Sequence, residues 1–281
     1  MIQTKLFSII VPTFDEAASV RRVISDIIQY YPQADVVVVD NGSTDHTIQQ
    51  LDGFVVKIVR HPFNMGYGAA IKSGLKNSKH DIIVTVDADG QHAIRDIDKL
   101  MEEMIGCGMV VGKRVGSVPT KFMNRIGKAV LWIIASFAFG HSIPDINSGF
   151  RIFKKNILEK YILFLPDTFS FHASSTLLLL FNGHSIKYVS TKISPRSGSS
   201  KVFFISGLKS VLALMKLERM LLPQRFFLLH IFVLTLVAVP VLFIYCKRDS
   251  VIVFSSLWCL LIILAERLTK NRKNYGLILI R

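Results

Sequence analysis

Apolar runs of four to six residues recur along the first part of the chain: Leu6 to Val11, Val36 to Val39, Val55 to Val59, Ile82 to Val86 and Met109 to Gly112. Each reads as a strand, and Ile82 to Val86, short, rich in β-branched residues and bounded by polar ones, as a buried parallel strand. Between them the period changes. From Ala17 to Tyr30 the apolar positions Val20, Val23, Ile24, Ile27 and Ile28 fall on one helical face, with Asp15 as the expected N-cap. Ser43 or Thr44 is placed to cap a further helix after the second strand. Two more helices are expected, one ending near Lys79 and one from about Ile94 to Ile105. Strands alternating with helices predict an α/β fold with a mostly parallel sheet covered on both faces. The strand ends at Asp40, Asp87 and Arg114 then share one edge, where open sheets of this kind bind ligands.

The pattern changes again beyond the sheet. Lys121 to Gly140 carries Lys121, Arg125 and Lys128 as one stripe, beside the apolar Trp132, Ile133, Ile134, Phe137 and Phe139. That combination suits an interfacial helix, a packed core helix being the competing reading. Lys201 to Leu222 is amphipathic with cations, and Phe226 to Cys246 is long enough to span a bilayer. The second apolar stretch, Val251 to Ala265, is short and would cross only with tilt, local thinning or a partner helix. The expected organisation is a catalytic-type domain over 1–200, a juxtamembrane helix over 201–225, a two-helix transmembrane hairpin over 226–265 and a basic tail over 266–281. The membrane helices could also support a homo-oligomer.

Composition agrees with that division. Hydrophobic residues make up 51% of the 281 positions, and the excess lies after Phe226. Lys and Arg number 34 against 20 Asp and Glu, a net charge of +14. The cations Lys201, Lys209, Lys216, Arg219 and Arg225 precede the first span, and Arg267, Lys270, Arg272 and Lys273 follow the second. That placement favours an anionic lipid bilayer and phosphorylated substrates over nucleic acid, for which the chain has no recognition module. Cys107, Cys246 and Cys259 have no metal-ligand spacing and offer no disulfide framework. Leu6 to Val11 is too short for a signal sequence and is broken by Pro12, so the first domain and both termini are expected on the cytosolic face of the membrane.

The chemistry concentrates at DADGQH, where a buried strand ends in Asp87 and Asp89. Two carboxylates at such an edge can hold a hard divalent ion that neutralises a diphosphate. An EF-hand is excluded, because His92 stands where its glycine belongs and Asp98 where its bidentate glutamate belongs. A phosphate-binding G-x-x-x-x-G-K-[ST] loop is absent. Gly66 and Gly68 begin a dinucleotide fingerprint whose third glycine is replaced by Ile71, so the expectation is instead backbone lying close to a ligand at a helix start. Asp40 could accept hydrogen bonds from a base or ribose, or could simply stabilise the turn at Gly42. Arg114, Arg125 and Arg151 could each fork onto a phosphate.

PTFDE, VDNGSTD, NMGYGAAIKSG, DADGQH and DINSGFRIF, in that order, resemble the motif set of glycosyltransferase family 2 over about residues 5–202. Within it, the likeness is to the dolichol-phosphate mannose synthase and polyprenyl-phosphate glycosyltransferase branch. The resemblance implies a nucleotide-sugar-binding α/β fold with Mg2+ or Mn2+ at Asp87, Asp89 and Gln91. It implies a nucleotide side lined by Pro12, Glu16, Asp40, Asp45, Lys72 and Asp87. Arg114, Arg125, Ser148 and Arg151 would face the acceptor, while Asp89, Asp145, Arg151, Arg196 and Lys201 would carry catalysis. The loop PRSGSSK would close Arg196 and Lys201 over the diphosphate as a lid. Two departures stand out. Asn41 occupies a position where the family commonly has a second Asp, and His172 to Ser175 contain no acid where relatives often place one. The activity implied is sugar transfer from a nucleotide-diphosphate sugar to a polyprenyl phosphate, with inversion. A lipid hydroxyl or glycan acceptor, or a non-catalytic nucleotide-sugar-binding subunit, are the competing functions.

Overall fold

The computed structural model describes residues 6–115 and 143–194, together with Leu212 and Lys216. The expected interfacial helix, the PRSGSSK loop, both apolar spans and the basic tail lie outside the described residues, as do Arg125, Arg196 and Lys201. Among the described residues no helix is long and apolar enough to cross a membrane.

A seven-stranded mixed sheet forms the centre of the fold, in the order β3-β2-β1-β4-β6-β5-β7. Its strands are β1 (Ser8–Thr13), β2 (Asp35–Asp40), β3 (Lys57–Arg60), β4 (Ile82–Thr85), β5 (Met109–Val115), β6 (Arg151–Lys154) and β7 (Ile186–Lys192). The pairs β1–β2, β1–β4, β2–β3 and β5–β7 are parallel, and β6 is antiparallel to both β4 and β5. Five of the strands occur where the apolar runs predict them. β6 and β7 have no such signature: RIFK is short and opens on an arginine, and IKYVSTK alternates with polar residues at the sheet edge.

Pro12 lies within β1 although proline cannot donate to a ladder. Val86 N donates to Ile10 O and Asn41 N to Thr13 O. Alternate residues of β1 therefore turn toward β4 and β2, which puts the missing donor of Pro12 on the β4 side. Pairing with β4 ends at Ile10, so no ladder bond is lost.

Helices α1 (Val20–Tyr30), α2 (Tyr67–Asn77), α3 (Asp96–Glu102), α4 (Lys155–Glu159) and α5 (Phe171–Phe181) cover the sheet. One buried cluster joins Val20, Val23, Ile24 and Ile27 of α1 and Ile97 and Leu100 of α3 to Ile9, Val11, Val36, Val38, Val84 and Ile152. On β1, Ile10 points the other way, and α2 sits so close that a Cβ at Gly74 would lie 2.4 Å from the Ile10 side chain. α1 starts at Val20 rather than Ala17, and Asp15 does not cap it. Instead Asp15 has φ +50° and accepts from Thr44 N at 2.7 Å. Nor do Ser43 and Thr44 cap an α-helix: only a 3-10 turn, Gln49–Leu51, follows them, and Ser43 Oγ accepts from Asp15 N.

Candidate active site

Every parallel strand delivers its carboxyl end to one edge, and β6 starts there because it runs backwards. The loops after β1, β2 and β4 and the loop before β6 thus meet at one place. Two of them are laced together: Glu16 N donates to Thr47 Oγ1 at 2.8 Å, and Ala17 N to Asp45 Oδ2 at 3.3 Å. Asp45 also accepts from Thr47 N at 2.9 Å and from its hydroxyl. Glu16 accepts from Ser19 Oγ at 3.2 Å. Asp40, 1% exposed, accepts from Ser43 N at 3.0 Å and faces Arg60 Nε at 3.5 Å, so its carboxylate stabilises the turn.

Asn41 organises the next loop. Its Oδ1 accepts from Met65 N at 3.0 Å and lies 2.8 Å from His61 Nδ1, while its Nδ2 donates to Asn64 Oδ1 at 3.0 Å. An ionised aspartate accepts only, so it could not make the bond to Asn64. The departure from the family's usual acid is thereby given a local structural use.

At the end of β4, Asp87 and Asp89 lie in a loop tightened by Gly90, φ +70°. Asp89 Oδ1 accepts from Gln91 N at 3.1 Å. Asp87 Oδ1 accepts from Tyr67 Oη at 2.7 Å. Beside it Gly149 leaves room where a Cβ would lie 2.3 Å from Asp87 Oδ2, and its carbonyl accepts from Thr85 Oγ1 at 2.6 Å. Gln91 O accepts from Ser194 N at 2.9 Å, and His92 bridges to Ile193. The chain leaving β7 therefore passes beside the carboxylates.

The acidic pair fits a hard divalent ion. Asp87, Asp89 and Gln91 offer oxygen donors, and the missing side chain at Gly149 lets its backbone lie close beside Asp87 without displacing the carboxylate. Among the described residues no three His, Cys, Asp or Glu side chains form a cage by themselves. That suits Mg2+ or Mn2+, which commonly take one or two carboxylates and complete the shell with water and substrate phosphate.

Arg114 and Asp145 form a two-pronged pair, Nε–Oδ2 and Nη2–Oδ1 both 2.8 Å, with Arg114 N adding a bond at 3.2 Å. Burial would raise the Asp145 pKa, but the bonds and charge of Arg114 outweigh it and hold the carboxyl below its usual value. Two residues expected at the acceptor are held by protein partners. Ser148 is fully buried and donates to Gly112 O at 2.7 Å, tying its loop to β5. Arg151, 1% exposed, donates to Ser148 O at 2.6 Å, Ile146 O at 2.7 Å, His172 O at 3.0 Å and Thr176 Oγ1 at 2.6 Å. Its fork faces protein rather than a phosphate. Lys72 likewise has protein partners, Leu165 O at 2.6 Å and Asp167 Oδ1 at 2.7 Å. Gly66 and Gly68 approach protein rather than ligand: a Cβ on either would lie 2.2 Å from a carbonyl oxygen, of Asp167 and Pro166 respectively.

Two buried histidines flank the crevice. His92 stacks on Phe150 at 4.9 Å between ring centroids, and burial lowers its pKa to about 4. His172 occupies the segment where an acid was expected, and burial, with Arg151 and Arg114 nearby, pushes it well below 6.5. Neither ring nitrogen of His172 has a hydrogen-bond partner among the described residues. Tyr67, Gly149 and these histidines were not legible as site residues. A tyrosine between two glycines and a glycine in a turn carry no chemical signature until the loops are brought together.

The family model described as glycosyl transferase family 2 matches residues 8–162, more than half of the chain. Among curated proteins, a UDP-N-acetylglucosamine–dolichyl-phosphate N-acetylglucosaminyltransferase of Methanococcus voltae is 31% identical over 182 residues, covering 55% of this chain and 72% of that one. A polyprenol monophosphomannose synthase of Mycolicibacterium smegmatis is 28% identical over 214 residues, covering 69% and 80%. A crystal structure of glucosyl-3-phosphoglycerate synthase from Mycobacterium tuberculosis, in complex with Mn2+, UDP and glucosyl-3-phosphoglycerate, superposes with a TM-score of 0.62 at 18% identity, covering 76% of this chain and 80% of that one. The sheet, the ordered edge loops and the family match lead to one conclusion: this chain belongs to glycosyl transferase family 2.

Proposed function

We propose that this glycosyltransferase moves a sugar from a nucleotide-diphosphate sugar to a polyprenyl phosphate at the cytosolic face of a membrane, with inversion at the anomeric carbon. The observation that carries the acceptor class is that the groups beside the acidic pair are committed or buried: Asp145 is held by both prongs of Arg114, and the rings of His92 and His172 are buried. Asp145 is held acidic by Arg114, His92 is lowered to about 4 and His172 lies well below 6.5. A general base works best with a pKa near the working pH, so these groups serve a hydroxyl acceptor poorly. A phosphate monoester is already largely ionised near pH 7 and needs no base. The names of the relatives from Methanococcus voltae and Mycolicibacterium smegmatis support the same acceptor class.

In this reading an acceptor phosphate oxygen attacks the anomeric carbon as the bond to the diphosphate breaks, and the nucleoside diphosphate leaves. Asp87, Asp89 and Gln91 would hold Mg2+ or Mn2+, which when bound supplies positive charge to the departing diphosphate. Pro12, Glu16, Asp40 and Asp45 shape the loops on the nucleotide side, and the Arg114–Asp145 pair lines the acceptor side. Arg196 and Lys201 would close over the diphosphate. Ser194 N bonds Gln91 O at 2.9 Å, so the described chain after β7 passes beside the acidic pair. The basic, apolar sequence after Lys201 supports the membrane anchor and cytosolic placement.

A panel of nucleotide sugars offered with polyprenyl phosphate or the corresponding polyprenol tests the reading. Transfer to the phosphate alone is expected, with Asp89→Ala abolishing turnover by a still-folded protein. Equal transfer to the alcohol, or none with any donor, would overturn it.

A further inference from the structure

We infer that Tyr67 is a positioning residue for Asp87: its hydroxyl fixes the orientation of the carboxylate toward the metal, and its ring is seated by Phe169 and His172. This rests on the proposed metal role of Asp87. The hydroxyl donates to Asp87 Oδ1 at 2.7 Å. Across the carboxylate, the backbone of Gly149 comes so close to Oδ2 that not even a methyl group would fit. A carboxylate bounded on one oxygen by a donor and crowded beside the other by backbone has little rotational freedom.

The ring itself is immobilised from two sides. Phe169 stacks on it with centroids 5.5 Å apart, and His172 meets it edge-on at 4.8 Å. Its backbone is anchored as well. Tyr67 opens α2 between Gly66 and Gly68, which lie against the carbonyls of Asp167 and Pro166, and Ala69 N donates to Asp167 O at 3.2 Å. Lys72, one turn further along, bonds Leu165 O and Asp167 Oδ1. The segment 165–172 thus holds the start of α2 by backbone, ion pair and aromatic contact together. A phenol is ordinarily protonated near neutral pH and so can donate.

This gives His172 a use that its own chemistry does not. An imidazole without partners among the described residues is a costly buried group, yet its ring packs edge-on against the tyrosine. Partners that orient a metal ligand typically contribute about 10- to 100-fold to metal affinity.

The test is Mn2+ binding by the full chain in detergent, followed by electron paramagnetic resonance with and without nucleoside diphosphate, beside the metal concentration giving half-maximal transfer. Tyr67→Phe keeps the ring and removes the hydroxyl. It should weaken Mn2+ binding about tenfold or more, with turnover largely recovered at saturating metal and melting temperature little changed. Phe169→Leu, at a half-exposed position, should weaken binding in the same direction by less, and it decides the matter if Tyr67→Phe does not fold. Parent-like Mn2+ binding in the variants would overturn the inference while leaving the metal site standing. Absence of Mn2+ binding in the parent would overturn the metal reading of Asp87 and the inference with it.

Discussion

A guanidinium buried in the fold must find acceptors for its donors, and Arg151 finds three carbonyls, a hydroxyl and the sulfur of Met109. All are neutral, and burial pulls its pKa down to about 10, still far above working pH. Among the described residues no carboxylate lies at ion-pair distance from it. Its work is geometric. Ile146 and Ser148 belong to the loop that leads to Gly149, and His172 and Thr176 belong to α5, so one side chain ties together the two segments that frame Asp87. Removing it would leave those acceptors buried without partners. Arg151→Ala should therefore destabilise the protein by about 3 kcal/mol or more, since each buried acceptor left unsatisfied costs about 1–3 kcal/mol, a fall in melting temperature of roughly 6–12 °C for a domain of this size. An unchanged melting temperature with a raised requirement for polyprenyl phosphate would instead return Arg151 to the acceptor.

Among the elements, the contact between α2 and the segment before α5 is the most exacting. Gly66 has φ +103°, a conformation that suits glycine, and a Cβ on Gly68 would lie 2.2 Å from Pro166 O. The obstacle is backbone, so no rotamer change relieves it. Gly68→Ala should push α2 away from residues 165–168 and cost about 1–3 kcal/mol, lowering the melting temperature by roughly 2–12 °C. Because Tyr67 adjoins the displaced residue, the metal concentration for half-maximal transfer should rise in parallel. If thermal melting is parent-like, the approach of the two segments is looser than this geometry requires. The G-x-G spacing was visible in the sequence, but its partner was not, because the carbonyls it meets lie about a hundred residues further along the chain.

Stability of the whole molecule should depend on pH through groups held away from their ordinary titration. His92 titrates near 4 and His172 well below 6.5 in the fold, whereas the unfolded chain takes up both protons near 6.5. The unfolded state thus binds more protons between those values. Stability is full above about pH 6.5 and declines as the pH falls toward 4, by up to about 1.4 kcal/mol per pH unit for each histidine. Asp145, lowered by Arg114 from 3.8, has the other window: its contribution persists above that value and is lost only in stronger acid. Thermal melting between pH 7.5 and 4.5 checks this, and a flat profile would mean that both rings protonate freely in the folded protein. The same split between local and long-range information separates what the sequence by itself determined from what tertiary structure decided. The β-branched runs determined where five strands lie: in β1, β2 and β4 burial on both faces of the sheet demands continuous apolar residues, whereas β3 is largely exposed and the order of strands in the sheet was set by tertiary pairing. DADGQH determined where the acidic pair would stand, since a strand end places its next residues at the sheet edge whatever lies around it. The antiparallel β6, the edge strand β7 and the partners of Arg151, Ser148 and Lys72 were decided only in three dimensions. A cation or hydroxyl looks the same in sequence whether it faces a ligand or a carbonyl, and only packing supplies the carbonyl.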